Sequence, residues 1–167
     1  MAATVAILMG SKNDLPKIES AVKTLKELGV GCTVRVMSAH RTPDVVAEFA
    51  SHAYDRGIRV IIAAAGGAAH LAGVVASHTI LPVIGIPVEG GALNGLDALL
   101  ATVQMPGGIP VATVAIGSGG ARNAALLAAE ILALQDAGLR AKLLDFRARQ
   151  RQEVLAADAE ISAAQGG

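Results

Sequence analysis

An α/β fold with a central five-stranded parallel sheet is predicted by two features of this 167-residue sequence. First, five short runs rich in β-branched and small apolar residues alternate with helical patterns, which is the order of repeated β-α-β units. Second, the first, third and fifth runs are almost continuously apolar, as expected of strands buried on both faces of a parallel sheet. The predicted strands cover residues 5–9, 32–36, 60–64, 83–86 and 111–116.

Helix start and stop signals lie between the predicted strands. The first helix, residues 15–28, has Asp14 as its expected N-cap, Pro16 in its first turn and Gly29 as its terminator. The second begins with Thr42 as N-cap and Pro43 at the first helical position. It ends before residue 57, and three more helices are predicted at about 68–78, 96–103 and 121–134.

The chain is predicted to form a single domain over residues 1–167, because this length suits one domain with a sizeable core. The core covers about residues 4–135, and a charge-rich helical arm follows over about 139–156. The arm either covers its own domain or docks on a neighbouring subunit, and the sequence leaves both possibilities open. The small, polar tail at residues 157–167 is expected to fray.

The composition argues against several kinds of partner. The 14 basic side chains balance the 14 acidic ones, so nothing marks a surface for nucleic acid or an anionic membrane. One tyrosine and two phenylalanines offer no stacking platform for bases. The single cysteine, Cys32, cannot form an internal disulfide and suits a reducing cytosol, and the N-terminus lacks the pattern of a secretory signal. We therefore expect a cytoplasmic protein that binds neither nucleic acid nor membrane.

A long segment almost without charge predicts self-association. Between residues 60 and 121 the only charged side chains are Glu89 and Asp97, although both flanks are richly charged. A membrane span could bury such a segment, but His70, Pro82 and several glycines interrupt it. The alternative is burial in the sheet and against other copies of the chain, because a large exposed apolar surface is a liability on a monomer. A homo-oligomer is the expectation.

Residues suited to chemistry gather in three loops that follow predicted strands. The loops read GSKND at residues 10–14, SAHR at 38–41 and AGGAAH at 65–70. His40 can exchange a proton near neutral pH, and Arg41 beside it can hold an anion through two nitrogens. The glycines and helix N-termini offer backbone N–H groups to an anion. Because ligands bind beyond the carboxyl ends of parallel strands, a phosphate or carboxylate site is predicted there.

Structural explanations for the same residues stay open at this point. Asp14 could serve only as a helix cap, Ser11 only as a turn residue, and His40 and His70 could be packed loop histidines. None of the glycine loops, including the one at residues 117–120, matches the dinucleotide fingerprint or the P-loop. No pair among the four histidines has a metal-binding spacing, so neither a metal nor a cofactor is expected.

Five separated segments carry a family resemblance. They read MGSKND at residues 9–14, SAHRTP at 38–43, AGGAAHL at 65–71, ALNG at 92–95 and VQMPGG at 103–108. In order and spacing they closely resemble the bacterial N5-carboxyaminoimidazole ribonucleotide mutases of purine biosynthesis. Since several motifs agree over most of the chain, the match is far more specific than any single loop.

The resemblance implies a fold, an activity and an assembly. The fold is a flavodoxin-like three-layer α/β/α sandwich forming a single catalytic domain. The reaction is a cofactor-free isomerisation that moves a carboxylate from the exocyclic nitrogen of a small-molecule ribonucleotide to ring carbon 4, giving 4-carboxy-5-aminoimidazole ribonucleotide. The assembly is an octamer in which neighbours complete each site.

The resemblance also implies a role for each loop residue, with His40 as the catalytic residue. The phosphate end of the substrate is implied to be held by Ser11, Ser38 and Arg41. The ribose hydroxyls are implied to bind Asp14. The wall around the migrating carboxylate is implied to consist of Gly66, Gly67, Ala68, His70 and Leu71.

A mechanism follows as a hypothesis. His40 assists decarboxylation by proton transfer, leaving aminoimidazole ribonucleotide and carbon dioxide in a closed pocket. Carbon dioxide then adds at carbon 4, and His40 removes the proton from that carbon. Proximity supplies much of the rate, because carbon dioxide that escaped would have to return from dilute solution.

Two rival functions stay open, and the chain differs from the family pattern at three positions. The sister enzyme that carboxylates aminoimidazole ribonucleotide directly tends to read SAHKGP where this chain has Arg41, Thr42 and Pro43, which favours the mutase. A non-catalytic flavodoxin-like nucleotide-binding module would not need a proton-transferring histidine. Departures from the family pattern put in doubt any basic contact to substrate from the loops concerned. Family members often have proline where this chain has Ala72, and often have lysine where it has Gly91 and Ser118.

Overall fold

Five parallel strands form one sheet in the order β2-β1-β3-β4-β5. The computed structural model describes residues 2–165. Every neighbouring pair in the sheet is parallel, so the predicted five-stranded parallel sheet is confirmed. The strands are β1 Val5–Met9, β2 Cys32–Val36, β3 Val60–Gly66, β4 Val83–Val88 and β5 Ala112–Thr113.

Six α-helices and one 3-10 turn occupy the connections within residues 2–165. The 3-10 turn, Lys12–Asp14, precedes α1. The helices are α1 Leu15–Leu28, α2 Pro43–Ser51, α3 Leu71–Ser77, α4 Leu96–Val103, α5 Gly117–Leu132 and α6 Ala137–Gln165.

The two faces of the sheet carry separate cores. In β1, Val5, Ile7 and Met9 point to one face, while Ala6 and Leu8 point to the other, as the two-residue period of a strand requires. The first face packs against α1, α5 and the start of α6. The second packs against α2 and α3. The molecule is therefore a three-layer α/β/α sandwich.

The fifth strand differs from its prediction. It covers Ala112–Thr113 instead of residues 111–116, and Ala112 is exposed, so the expected burial on both faces is wrong. β5 is less buried because it lies at the edge of the sheet and pairs with β4 alone. All six residues of β4 are buried instead. Strands β3 and β4 each run two residues further than predicted, towards the carboxyl edge.

Asp14 and Thr42 occupy the expected N-cap positions, but neither side chain caps its helix. The Asp14 side chain makes no capping hydrogen bond to α1, because its carboxylate accepts the Ser11 backbone N–H at 3.1 Å. Thr42 likewise makes no side-chain cap of α2, because its hydroxyl contacts the backbone of Ser38. Gly29 ends α1 at φ 75°, as predicted.

The C-terminal helix is longer than predicted. It continues through residues 157–165, so fraying of this part is wrong, while residues 166–167 lie outside the described range. Alanine, glutamate and glutamine are strong helix formers, and no glycine or proline interrupts α6 after Gly138. α6 begins on its own domain, where Leu139 and Leu143 are buried. In residues 2–165 no helix has the length and apolar character needed to cross a membrane.

Candidate active site

A pocket of about 500 Å³ opens at the carboxyl edge of the sheet. The loops after β1, β2, β3 and β4 supply its walls. All ten residues to which the family resemblance assigns a role line this one pocket. They are Ser11, Asp14, Ser38, His40, Arg41, Gly66, Gly67, Ala68, His70 and Leu71.

Hydrogen bonds made by Ser38 hold the loop after β2 in place. The Ser38 backbone N–H donates to the Thr42 hydroxyl at 2.9 Å. The Ser38 hydroxyl oxygen accepts the backbone N–H groups of His40 at 3.3 Å and Arg41 at 3.2 Å. A Met37–Met9 backbone hydrogen bond of 2.9 Å continues the β1–β2 pairing up to this turn. These hydrogen bonds therefore hold the backbone of His40 directly after the paired strands β1 and β2.

Two histidines from different loops meet in the pocket. His40 Nε2 lies 2.8 Å from His70 Nδ1, within hydrogen-bond distance. The rings meet edge to face, with centroids 4.9 Å apart and planes at 84°. One of the two nitrogens must carry the proton of this hydrogen bond, so the state of His70 fixes the tautomer that His40 presents. Both side chains remain exposed to the pocket.

Arg41 joins the loops after β1 and β2. Its Nη2 donates to the Gly10 carbonyl at 2.6 Å, and its Nε donates to the Ser38 hydroxyl at 3.4 Å. A guanidinium carries five N–H donors, so these two contacts orient the group and leave others to bind an anion. The arrangement suits a phosphate or carboxylate.

Asp14 is a partly buried carboxylate in the pocket. Burial raises the pKa of its carboxyl group above the ordinary value of 3.8. The Ser11 backbone N–H and the positive charges of Lys17 and Arg41 act in the opposite direction and favour the ionised form. A carboxylate with these neighbours can accept hydrogen bonds from ligand hydroxyl groups.

The loop after β3 brings backbone close to the pocket. Gly67 has φ 60°, a conformation that favours glycine. A methyl group on Gly66 would come within 3.1 Å of the Val88 carbonyl, so only glycine fits without a shift there. Leu71 is buried in the second core while it also lines the pocket floor.

Sequence reasoning missed several pocket residues. The loop after β4 contributes Glu89 and Gly90, α1 contributes Lys17, and α4 contributes Asp97. Glu89 and Gly90 could have been predicted from their position directly after β4, because β4 ends at the same edge as the other strands. Lys17 carried no such signal, since its Nζ donates to the Glu89 backbone carbonyl, 72 residues away in the chain.

The two remaining histidines and the three departures from the family pattern lie partly inside and partly outside this pocket. His52 and His78 do not line this pocket, and of the three departures Gly91 lines it. Ala72 is buried in the second core, and the Ser118 carbonyl accepts the Ser20 hydroxyl at 2.7 Å. Within residues 2–165 no three His, Cys, Asp or Glu side chains cluster as metal ligands would.

Comparison with known proteins assigns the family. The family model described as AIR carboxylase matches residues 4–153 of this chain. The chain belongs to the AIR carboxylase family. Relatives named N5-carboxyaminoimidazole ribonucleotide mutase include those of Vibrio cholerae, 53% identical, and Escherichia coli K12, 54% identical. These alignments cover 91% and 92% of this chain, and 94% and 90% of the respective relatives.

A further relative with the same name comes from Saccharolobus solfataricus. The Saccharolobus solfataricus mutase is 56% identical over 90% of this chain and 94% of its own length. Solved structures agree in fold. Treponema denticola PurE matches with a TM-score of 0.84 and 30% identity, covering 93% of this chain and 96% of that one.

Proposed function

We propose that this chain is an N5-carboxyaminoimidazole ribonucleotide mutase, an isomerase of purine biosynthesis that forms 4-carboxy-5-aminoimidazole ribonucleotide. The observation that carries the proposal is the identity of 53–56% over about nine-tenths of the chain with relatives that bear this name. The pocket adds a chemical argument, because it combines a histidine pair with an arginine and a carboxylate. These are the groups that a proton-dependent rearrangement of an anionic ribonucleotide needs.

We infer that His40 carries the proton in both halves of the reaction. In the first half it delivers a proton to the exocyclic nitrogen as the N–C bond to the carboxylate breaks and carbon dioxide leaves. In the second half ring carbon 4 attacks carbon dioxide, and His40 takes the proton from that carbon, which restores the aromatic ring. One proton is given and one is recovered. The reaction therefore balances without a metal, a cofactor or ATP.

The substrate orientation that we propose follows the charges in the pocket. The phosphate lies near Ser11, Ser38 and Arg41, and the ribose hydroxyls lie near Asp14. The migrating carboxylate lies at the wall formed by Gly66, Gly67, Ala68, His70 and Leu71. Support comes from the position of these residues in one pocket whose volume of about 500 Å³ suits a small ligand.

Direct carboxylation of aminoimidazole ribonucleotide is the second candidate function. The Arg41-Thr42-Pro43 sequence favours the mutase over this sister activity. Isotope labelling separates them: substrate with a ¹³C-labelled carboxylate is supplied without added bicarbonate. Retention of the label in 4-carboxy-5-aminoimidazole ribonucleotide is expected. Product that forms only with added bicarbonate and carries its carbon would contradict the mutase and favour the carboxylase, whereas a binding module would form no product.

We further propose that the chain works in the cytoplasm as a homo-oligomer, an octamer by its family resemblance. An apolar stripe on and before α4 supports self-association. The side chains of Leu93, Leu96, Leu100 and Val103 recur at helical spacing and are 48–58% exposed. Such a stripe would be unfavourable in water unless another subunit covered it. Light scattering at micromolar concentration tests this, and a monomeric mass would contradict it.

A further inference from the structure

The pocket contains one ammonium group that the proposed mechanism does not use, that of Lys17. Lys17 is the third residue of α1 and is partly buried. It follows Asp14 by three residues, a spacing that places neighbouring side chains on the same side of a helical turn. Ser11 and Arg41 line the same pocket. Lys17 is therefore within the region where the phosphate of the substrate is proposed to bind.

The position of the Lys17 ammonium group is set by a contact with the loop after β4. Its Nζ donates to the backbone carbonyl of Glu89. In residues 2–165 no carboxylate oxygen lies within the 4.0 Å ion-pair distance of this nitrogen. An ammonium group has three N–H donors, and the carbonyl uses one of them. The group is thus held in place by a neutral partner, and its charge is available to a ligand.

The charge of Lys17 also acts on Asp14. Lys17 and Arg41 both favour ionisation of the Asp14 carboxyl group, so both cations act on the same part of the pocket. Two cations then face one carboxylate at this end. A doubly charged phosphate monoester would gain from both, because charge-assisted hydrogen bonds are stronger than neutral ones.

We propose that Lys17 is a ligand-binding and specificity-determining residue, which uses its charge to select phosphorylated ribonucleotides over the corresponding nucleosides. The proposal deepens the function proposed above and rests on it. The contact with Glu89 keeps the ammonium group at the phosphate end, where Arg41 supplies the second positive charge.

A thermodynamic cycle tests the selection by charge. Calorimetry measures the affinity of 5-aminoimidazole-4-carboxamide ribonucleotide and of its nucleoside for the wild type and for Lys17→Gln. We expect Lys17→Gln to weaken binding of the ribonucleotide about ten- to a hundredfold, as loss of one hydrogen bond to a charged group implies, and binding of the nucleoside less than about twofold. Lys17→Arg, which keeps the charge, should retain most of the selectivity.

Lys23→Gln is the matched control, because Lys23 lies on the same helix, is exposed, and does not line the pocket. It should leave both affinities unchanged. An equal affinity of Lys17→Gln and wild type for the ribonucleotide would overturn the proposal. So would an equal loss for ribonucleotide and nucleoside, since that result would assign Lys17 to loop structure alone.

Conversion by the wild type is measured in parallel, so that two failures can be told apart. Absence of conversion would refute the proposed function, whatever the variants do. Conversion by the wild type together with unchanged phosphate selectivity in Lys17→Gln would refute only the role of Lys17. A change in KM without a change in kcat is expected for Lys17→Gln, because uniform binding energy is lost.

Discussion

Substitution of Gly120 by alanine should destabilise the fold strongly. Gly120 lies in the first turns of α5 and is buried. A methyl group built there would lie 1.6 Å from the Ala115 carbonyl oxygen, 2.5 Å from its carbon and 3.2 Å from its Cα. These neighbours are backbone atoms, so no rotation of a side chain can relieve the overlap. Either α5 or the segment before it must move.

The neighbouring glycine provides the matched control. A methyl group on Gly119 would meet no atom within 4 Å, and this position is exposed on the same helix. Gly→Ala should gain about 1 kcal/mol of helix stability at Gly119. At Gly120 the same gain is outweighed by a forced backbone shift, leaving the variant about 2 kcal/mol less stable than wild type. The free energies of unfolding of the two variants should therefore differ by about 3 kcal/mol.

Urea unfolding measures this difference at one fixed protein concentration, because self-association would otherwise shift the midpoints. The midpoint should fall for Gly120→Ala and rise slightly for Gly119→Ala, with similar slopes. Two variants of equal stability would refute the close-approach argument. The shift should also reach the pocket, because the segment before α5 packs beside the loop after β4: a methyl group built on Gly117 would lie 3.6 Å from Glu89 Oε2. A raised KM is expected for Gly120→Ala.

Two further predictions concern the pocket. His70→Leu should lower kcat about tenfold, because His40 loses the 2.8 Å hydrogen bond that orients it, and should also raise KM, because the wall proposed for the migrating carboxylate loses a polar group; His70→Asn should recover much of the rate, and equal rates for both variants would contradict this. Asp14→Asn should abolish binding of the ribose hydroxyls but raise stability at neutral pH. Burial raises the pKa of the Asp14 carboxyl group, so the folded state prefers the protonated form and wild type loses stability as pH rises from about 3.8 through the raised value. Unfolding curves from pH 4 to 7 should show this loss in wild type and not in Asp14→Asn, and parallel pH dependences would refute it.

The sequence predicted some elements to the residue and others only in part. Strands β1 and β2 and helices α1 and α4 match their predicted residues, since their signals are local. β5 could not be predicted so well, because the burial of an edge strand depends on whether a further strand pairs with it. The first turn of α5 begins at Gly117, four residues early, since a Gly-Ser-Gly-Gly run gives no local sign of helix.

The pocket was predictable to the extent that its residues follow strands. The rule that parallel strands place their carboxyl ends at one edge brought the loops of Ser11, His40 and His70 together. The His40–His70 hydrogen bond itself was not predictable, because loop lengths do not specify ring orientation. Lys17 was missed for a similar reason, since its contact joins α1 to a loop 72 residues away.

The most direct test of the mechanism is the turnover of His40→Asn. The rate of conversion of N5-carboxyaminoimidazole ribonucleotide is compared with that of His52→Asn, in which an exposed histidine outside the pocket is changed. Light scattering first establishes that the variants have the same mass as wild type. We predict a loss of about 10²–10⁴-fold for His40→Asn and wild-type turnover for His52→Asn. Turnover of His40→Asn within about twofold of wild type would contradict proton transfer by His40, since general acid–base catalysis contributes far more than that.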